Sequence, residues 1–146
     1  MFDTLTKLED LHLHLNRLTS PLQPNIFDRL THLIYLDLSH NNLDFIRSDT
    51  LRPLRRLKHL FLGHNKISEL DEDMFENMSF LVELSLQHNR IDREQDLPRG
   101  IFRNLLNLCE FKFTGNGLAQ MANFKEIYFQ NRANDKSLHI YLIEHH

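Results

Sequence analysis

The 146-residue sequence has little cysteine and no long apolar run. Cys109 is the single cysteine, so no disulfide forms within the chain. One thiol is consistent with a reducing compartment, and equally with part of a secreted protein whose cysteine-bearing ends lie elsewhere. Apolar runs of a few residues predict no membrane-spanning segment and no direct membrane insertion. The first residues also lack the basic and apolar regions of a signal peptide.

Strong charge and catalytic motifs are missing as well. The net charge is −3, and lysine and arginine form no cluster that could follow a phosphate backbone, so we expect no nucleic-acid partner. The chain has no glycine-rich phosphate loop, no G-x-S-x-G and no H-E-x-x-H. We therefore expect a protein that is not an enzyme and binds no cofactor.

A repeated eleven-residue pattern is the main feature of the sequence. Residues 33–43 read L-x-x-L-x-L-x-x-N-x-L, and the pattern recurs with starts 25, 24, 24 and 27 residues apart. This spacing is typical of a solenoid built from stacked units. The five copies start at Leu8, Leu33, Leu57, Leu81 and Leu108.

The alternation of leucine with other residues predicts one short strand per copy. Its leucines face one way and its variable residues the other. One strand cannot bury its apolar face, whereas stacked copies form a parallel sheet with a continuous core behind it. We expect a single domain over residues 1–146: a mostly β and irregular α/β-type solenoid, curved and right-handed, with about six strands lining its concave face. The segments between strands are too short for full helices and predict turns or 3₁₀ pieces.

An asparagine occupies the ninth position of every copy. Its amide has two donors and one acceptor, which suits backbone groups that would otherwise be buried without partners. We predict a buried structural asparagine ladder: Asn16, Asn41, Asn65, Asn89 and Asn116.

Both ends of the array depart from the pattern. Phe2 and Leu5 occupy the slots of the second half of a repeat whose strand is missing, which indicates a fragment or an end covered by a partner, such as a homodimer. Residues 119–146 read as a degenerate repeat or cap. Within them, Phe124 to Phe129 keep a shortened copy and predict a sixth strand. Residues 138–143 form a further run of strand composition, and this tail either covers the C-terminal edge or continues the array.

These repeats resemble the typical 24-residue class of leucine-rich repeats, with phenylalanine in the convex slot at Phe27, Phe75 and Phe102. Toll-like receptors, small leucine-rich proteoglycans and Slit-like ligands contain such repeats, and the resemblance covers roughly Phe2 to Phe129. It implies a recognition module of an extracellular or cell-surface protein in adhesion, signalling or immunity. The usual cysteine-rich caps are absent, so a cytoplasmic scaffold remains the alternative.

The third, fifth and seventh positions of each copy face away from the predicted core. A protein ligand on the concave face would contact these residues, and Phe61 suits an interface anchor because aromatic residues dominate binding hot spots. Acidic residues prevail on this face and favour a partner with basic character. The expected partner-binding patch comprises Tyr35, Asp37, His59, Phe61, Glu83 and Ser85.

Two groups of histidines invite a metal-site hypothesis. The eighth-position residues His40, His64 and His88 should stack about 5 Å apart, in a line that does not converge on one ion. A second group, His12, His14, Asp37 and His59, lies on neighbouring strands, but the pattern does not require its members to converge. We therefore expect no metal site.

Overall fold

Six short strands follow one another in chain order in one parallel sheet. The computed structural model describes residue 2 and residues 4–144, so predictions that involve Met1, Asp3, His145 or His146 lie outside the described residues. The central residue of the strand predicted in each of the five copies, a leucine in four of them and Phe111 in the fifth, is the centre of an observed strand. The strands are β1 (Asp10–His12), β2 (Tyr35–Asp37), β3 (His59–Phe61), β4 (Glu83–Ser85), β5 (Glu110–Lys112) and β6 (His139–Tyr141).

Short turns and helical pieces connect the strands. The α-helices are α1 (Ser48–Leu51) and α2 (Phe124–Tyr128), and 3₁₀ turns span Glu94–Asp96, Gly117–Gln120 and Gln130–Arg132. Pieces of this length match the short return segments between the copies. The chain is thus a mostly β solenoid, as the repeat pattern predicts.

The core runs behind the sheet along the array. Strand-centre residues Leu36, Leu60, Leu84 and Phe111 are all fully buried. The leucines of the first copy are only partly buried, because in the described part of the chain β1 has a neighbouring strand on one side alone. The phenylalanines of the convex slot, Phe27, Phe75 and Phe102, fill the space behind the strands and are at most 3% exposed.

The predicted sixth strand at Phe124 to Phe129 is wrong. This segment contains α2, and the strand that pairs with β5 is β6, inside the apolar run at 138–143. Only 16 residues separate Phe124 from Leu108, too few to leave the sheet, cross the back and return. The helix places Phe124 and Tyr128 four residues apart on one face, and both are buried.

The asparagine ladder includes four buried members and one exposed one. Asn41, Asn65, Asn89 and Asn116 are 3–8% exposed, whereas Asn16 is exposed and the expectation of its burial is wrong. No described repeat packs on the outer side of β1, so nothing covers Asn16. In the described part of the chain, every buried side-chain nitrogen and oxygen has a hydrogen-bond partner.

Candidate functional site

The strand register aligns the solvent-facing residues in columns across the sheet. Tyr35 pairs with His59 and His59 with Glu83, while Asp37 pairs with Phe61 and Phe61 with Ser85. We call the surface formed by these columns the concave face. The predicted patch therefore lies on three adjacent strands in the middle of the sheet. The predicted sixth strand would have added Glu126, Tyr128 and Gln130 to these columns. Because α2 replaces that strand, His139 and Tyr141 of β6 take the third and fifth positions instead.

Aromatic rings form a continuous cluster on this face. The centre of the Tyr35 ring lies 5.1 Å from that of Phe61, 5.9 Å from His59 and 4.7 Å from His12. Tyr35 and Phe61 are both half-buried. Burial, followed by the negative charges of Asp37, Glu83 and Asp10, raises the pKa of Tyr35, so its hydroxyl keeps its proton at neutral pH.

Polar side chains beside the cluster are linked to one another. His59 Nδ1 lies 2.9 Å from Glu83 Oε1, and Lys112 Nζ lies 3.8 Å from Glu83 Oε2. These contacts hold Glu83 between β3 and β5. The patch therefore combines an apolar centre with a charged border, the usual composition of a protein interface.

Ser85 does not face solvent as expected. Ser85 is 1% exposed, and its hydroxyl donates a hydrogen bond to Gln87 Oε1. Gln87 also lies over Gly63, where an added Cβ would meet the Gln87 side chain at 2.9 Å. The side chain of Ser85 is thus covered, and the accessible part of the predicted patch is Tyr35, Asp37, His59, Phe61 and Glu83.

The eighth-position histidines stack along the border of the concave face. The ring centres of His40 and His64 are 4.2 Å apart, and those of His64 and His88 are 4.6 Å apart, close to the expected strand spacing. Desolvation, followed by repulsion from His40 and His88, lowers the pKa of His64. His88 Nε2 contacts Glu144 Oε1.

The histidine column occupies a position where the backbone is left-handed. His40, His64 and His88 all have φ of 55°, and Gly115 has φ of 80° at the same position of the next copy. Left-handed backbone favours glycine, and histidine tolerates it better than most residues do. The sequence carries this signal only in part, because the eighth position reads Leu, His, His, His, Gly over the five copies, and Leu15 also has a left-handed backbone, with φ of 61°.

The second group of histidines separates into two parts. His12, His14 and Asp37 each place one ligand atom within 4.8 Å of the others. His59 is outside this trio and contacts Glu83 instead. The sequence did not require the three residues to converge, and their side-chain conformations bring them together.

Comparisons with known proteins agree with the fold. The family profile described as leucine rich repeat matches residues 31–91. The crystal structure of a TLR13–ssRNA13 complex is similar with a TM-score of 0.64 and 26% sequence identity, over 79% of this chain and 19% of that one. No curated protein sequence matches the chain significantly. Repeat pattern, sheet and comparisons together show a leucine-rich repeat protein, and the chain spans about a fifth of the length of its structural relative.

The described helices are all short. Among the residues that the structure describes, no helix has the length and apolarity needed to cross a membrane.

Proposed function

We propose that this chain is a protein-recognition module that binds its partner on the concave face. The binding surface, which we call the central patch, comprises Tyr35, Asp37, His59, Phe61 and Glu83. The single observation that carries the proposal is the half-buried Tyr35 and Phe61 pair, with ring centres 5.1 Å apart, in the middle of the sheet. Leucine-rich repeat proteins are interaction modules in general, which supports binding rather than catalysis.

The fold itself does not need aromatic residues at these positions. The core behind the sheet is filled by the leucines of the pattern, while Tyr35 and Phe61 stand on the opposite face. Large aromatic side chains bind with a small loss of conformational entropy and are enriched among the residues that dominate interface energies. They therefore suit the centre of an interface.

Charge favours a protein partner with basic groups. Asp10, Asp37, Glu83 and Glu110 lie on the concave face, with Lys112 as the cation of the same columns. Complementary charge mainly increases the rate of association. TLR13 was crystallised with single-stranded RNA. For the present chain, the acidic face disfavours a phosphate backbone, so we propose a protein ligand.

The parent protein is proposed to be an extracellular or cell-surface protein of adhesion, signalling or immunity. The similarity to a Toll-like receptor structure supports this location and role. The single cysteine is compatible with it, because the caps of secreted members lie outside the repeats themselves.

The test compares two phenylalanine variants. Phe61→Ala removes the proposed anchor, whereas Phe80→Ala removes a phenylalanine that is 55% exposed and lies outside the concave columns. Immobilised wild-type chain and both variants are incubated with secreted and cell-surface protein fractions, and bound proteins are quantified by mass spectrometry. A purified partner is then titrated by calorimetry.

We expect the partner to bind the wild type and Phe80→Ala equally. Phe61→Ala should weaken binding at least about fivefold, or ~1 kcal/mol, with little change in melting temperature. Equal affinity of both variants for the purified partner would move the site away from the central patch.

The alternative is a structural scaffold that associates with itself through its N-terminal edge. The observation that favours it is the partial exposure of the first repeat: Leu5 is 43% exposed, and Leu8, Leu11 and Leu13 are not fully buried. Within the described residues β1 pairs with β2 alone, and an unpaired edge strand can pair with another chain.

A further inference from the structure

Three side chains that can bind a metal ion meet at the N-terminal edge of the sheet. His12 is the last residue of β1, and His14 follows two residues later. Asp37 on β2 is the register partner of His12. One ligand atom from each residue lies within 4.8 Å of the other two, and His14 Nδ1 is 3.5 Å from Asp37 Oδ2.

These separations are close to those of a zinc site. Zinc binds histidine nitrogen and carboxylate oxygen at about 2.0–2.2 Å, so tetrahedral ligand atoms lie about 3.4 Å from one another. The 3.5 Å between His14 and Asp37 already meets this requirement. His12 and His14 are both exposed, so small rotations of their side chains can close the remaining distances.

The carboxylate of Asp37 is oriented by a neighbour. Its Oδ1 accepts hydrogen bonds from the Ser39 backbone N–H at 2.9 Å and from the Ser39 hydroxyl at 2.6 Å. Oδ2 is the oxygen that faces His14. Groups that orient a ligand in this way raise metal affinity, because the ligand needs less ordering when the ion binds.

We propose that His12, His14 and Asp37 form a zinc(II) site with three protein ligands. Two imidazoles and one carboxylate are a ligand set that zinc accepts in sites with an open fourth position. That open position can take a water molecule or a histidine or carboxylate of a bound protein. The site joins β1 to β2 and does not depend on the central patch having a partner, although Asp37 belongs to both.

Four other histidines on the concave face and its border are less suited to zinc. The rings of His40, His64 and His88 stack on their faces, so their nitrogens lie along a line. His59 is paired with Glu83. His12 and His14 differ because their rings are at 81° to each other, which allows nitrogens to point towards one ion.

The experiment titrates zinc chloride into metal-free protein by calorimetry in a buffer that does not bind zinc. All proteins carry His145→Ala and His146→Ala, because adjacent histidines bind divalent metals without a folded site. His12→Ala, His14→Ala and Asp37→Asn are compared with a control, His32→Ala, which removes an exposed histidine away from the trio. Circular dichroism verifies that each variant is folded.

We expect one zinc ion per chain in the parent protein. Each ligand variant should weaken binding at least about tenfold, Ser39→Ala should weaken it less, and His32→Ala should leave it unchanged. Zinc should also raise the melting temperature of the parent but not of Asp37→Asn, since an ion that binds the folded state stabilises it.

Two results would overturn the proposal. The first is a parent protein that binds no zinc. The second is zinc binding that the ligand variants retain unweakened; loss of that binding in His64→Asn would then place the ion on the stacked column. Neither result depends on a protein partner, so the zinc site and the recognition function fail independently.

Discussion

The buried asparagine of each repeat binds backbone groups of two repeats at once. Asn65 Nδ2 donates hydrogen bonds to the carbonyl oxygens of Leu38 and Leu62, at 3.0 and 3.2 Å, and its Oδ1 accepts one from the Leu43 N–H at 3.0 Å. Asn89 and Asn116 repeat the arrangement one and two copies later. One amide thus satisfies donors and acceptors that packing removes from water.

Replacement of Asn65 by alanine should destabilise the protein strongly. The variant leaves buried backbone groups without partners, and we expect a loss of about 2–3 kcal/mol in the free energy of unfolding. The measurement is urea denaturation followed by circular dichroism. Asn16→Ala is the matched control, because Asn16 is exposed and its side-chain amide donates to the His14 carbonyl oxygen within its own repeat. Asn16→Ala should lower the free energy of unfolding by less than about 1 kcal/mol. Equal losses in the two variants would contradict the role of burial.

The asparagine positions could be predicted because one repeat places the same side chain in the same environment each time. Asn16 departs because its environment is incomplete, and only the position of β1 at the sheet edge reveals this. Ser85 departs for another reason: Gln87 bonds its hydroxyl, and the pattern does not predict such a contact between two variable positions.

The repeat pattern ends after the fifth copy, and the segment that follows forms α2 and then β6. Phe124 to Phe129 satisfy the alternation of a strand and also the three- and four-residue spacing of a helix, so periodicity alone is ambiguous. The structure has α2, because Phe124 and Tyr128 then pack on the end of the core. The ring centre of Phe124 is 5.0 Å from Phe113, and the Tyr128 hydroxyl donates to the Leu97 carbonyl at 3.0 Å.

Phe124→Ala tests whether α2 is part of the core. Phe124 is 1% exposed, so its removal creates a cavity, and we expect the free energy of unfolding to fall by about 3–5 kcal/mol. The control is Phe45→Ala, since Phe45 is 38% exposed and should cost at most about 1 kcal/mol. Chemical denaturation measures the free energy of unfolding of both variants. Similar small losses would indicate that the helix contributes little to the packed core.

The whole molecule is a stack in which each repeat covers its neighbour. The interior repeats have a neighbour on both sides, the C-terminal side of β5 is covered by β6, and β1 is paired on one side only. Self-association through the β1 edge would make the chain a scaffold, whereas a free monomer favours recognition of a partner on the concave face.

Light scattering over a range of concentrations distinguishes these two roles. We expect a constant mass of one protomer, because the central patch is proposed to bind a different protein and not a second copy of the chain. A mass that rises with concentration, and returns to one protomer when Phe2 and Leu5 are replaced by glutamate, would support the scaffold instead. As the control, glutamate at the exposed positions Phe80 and Leu106 adds the same charges elsewhere and should leave the mass unchanged.

By itself the sequence determined the leucine-rich solenoid, the positions of five strands and the columns that face away from the core. It did so because each copy imposes the same packing on its neighbours, and a periodic pattern records that packing directly. Tertiary structure alone decided that Phe124 to Tyr128 form a helix, that Ser85 is covered, and that His12, His14 and Asp37 meet while His59 does not. These outcomes depend on contacts that occur once in the molecule, between side chains that no repeat constrains.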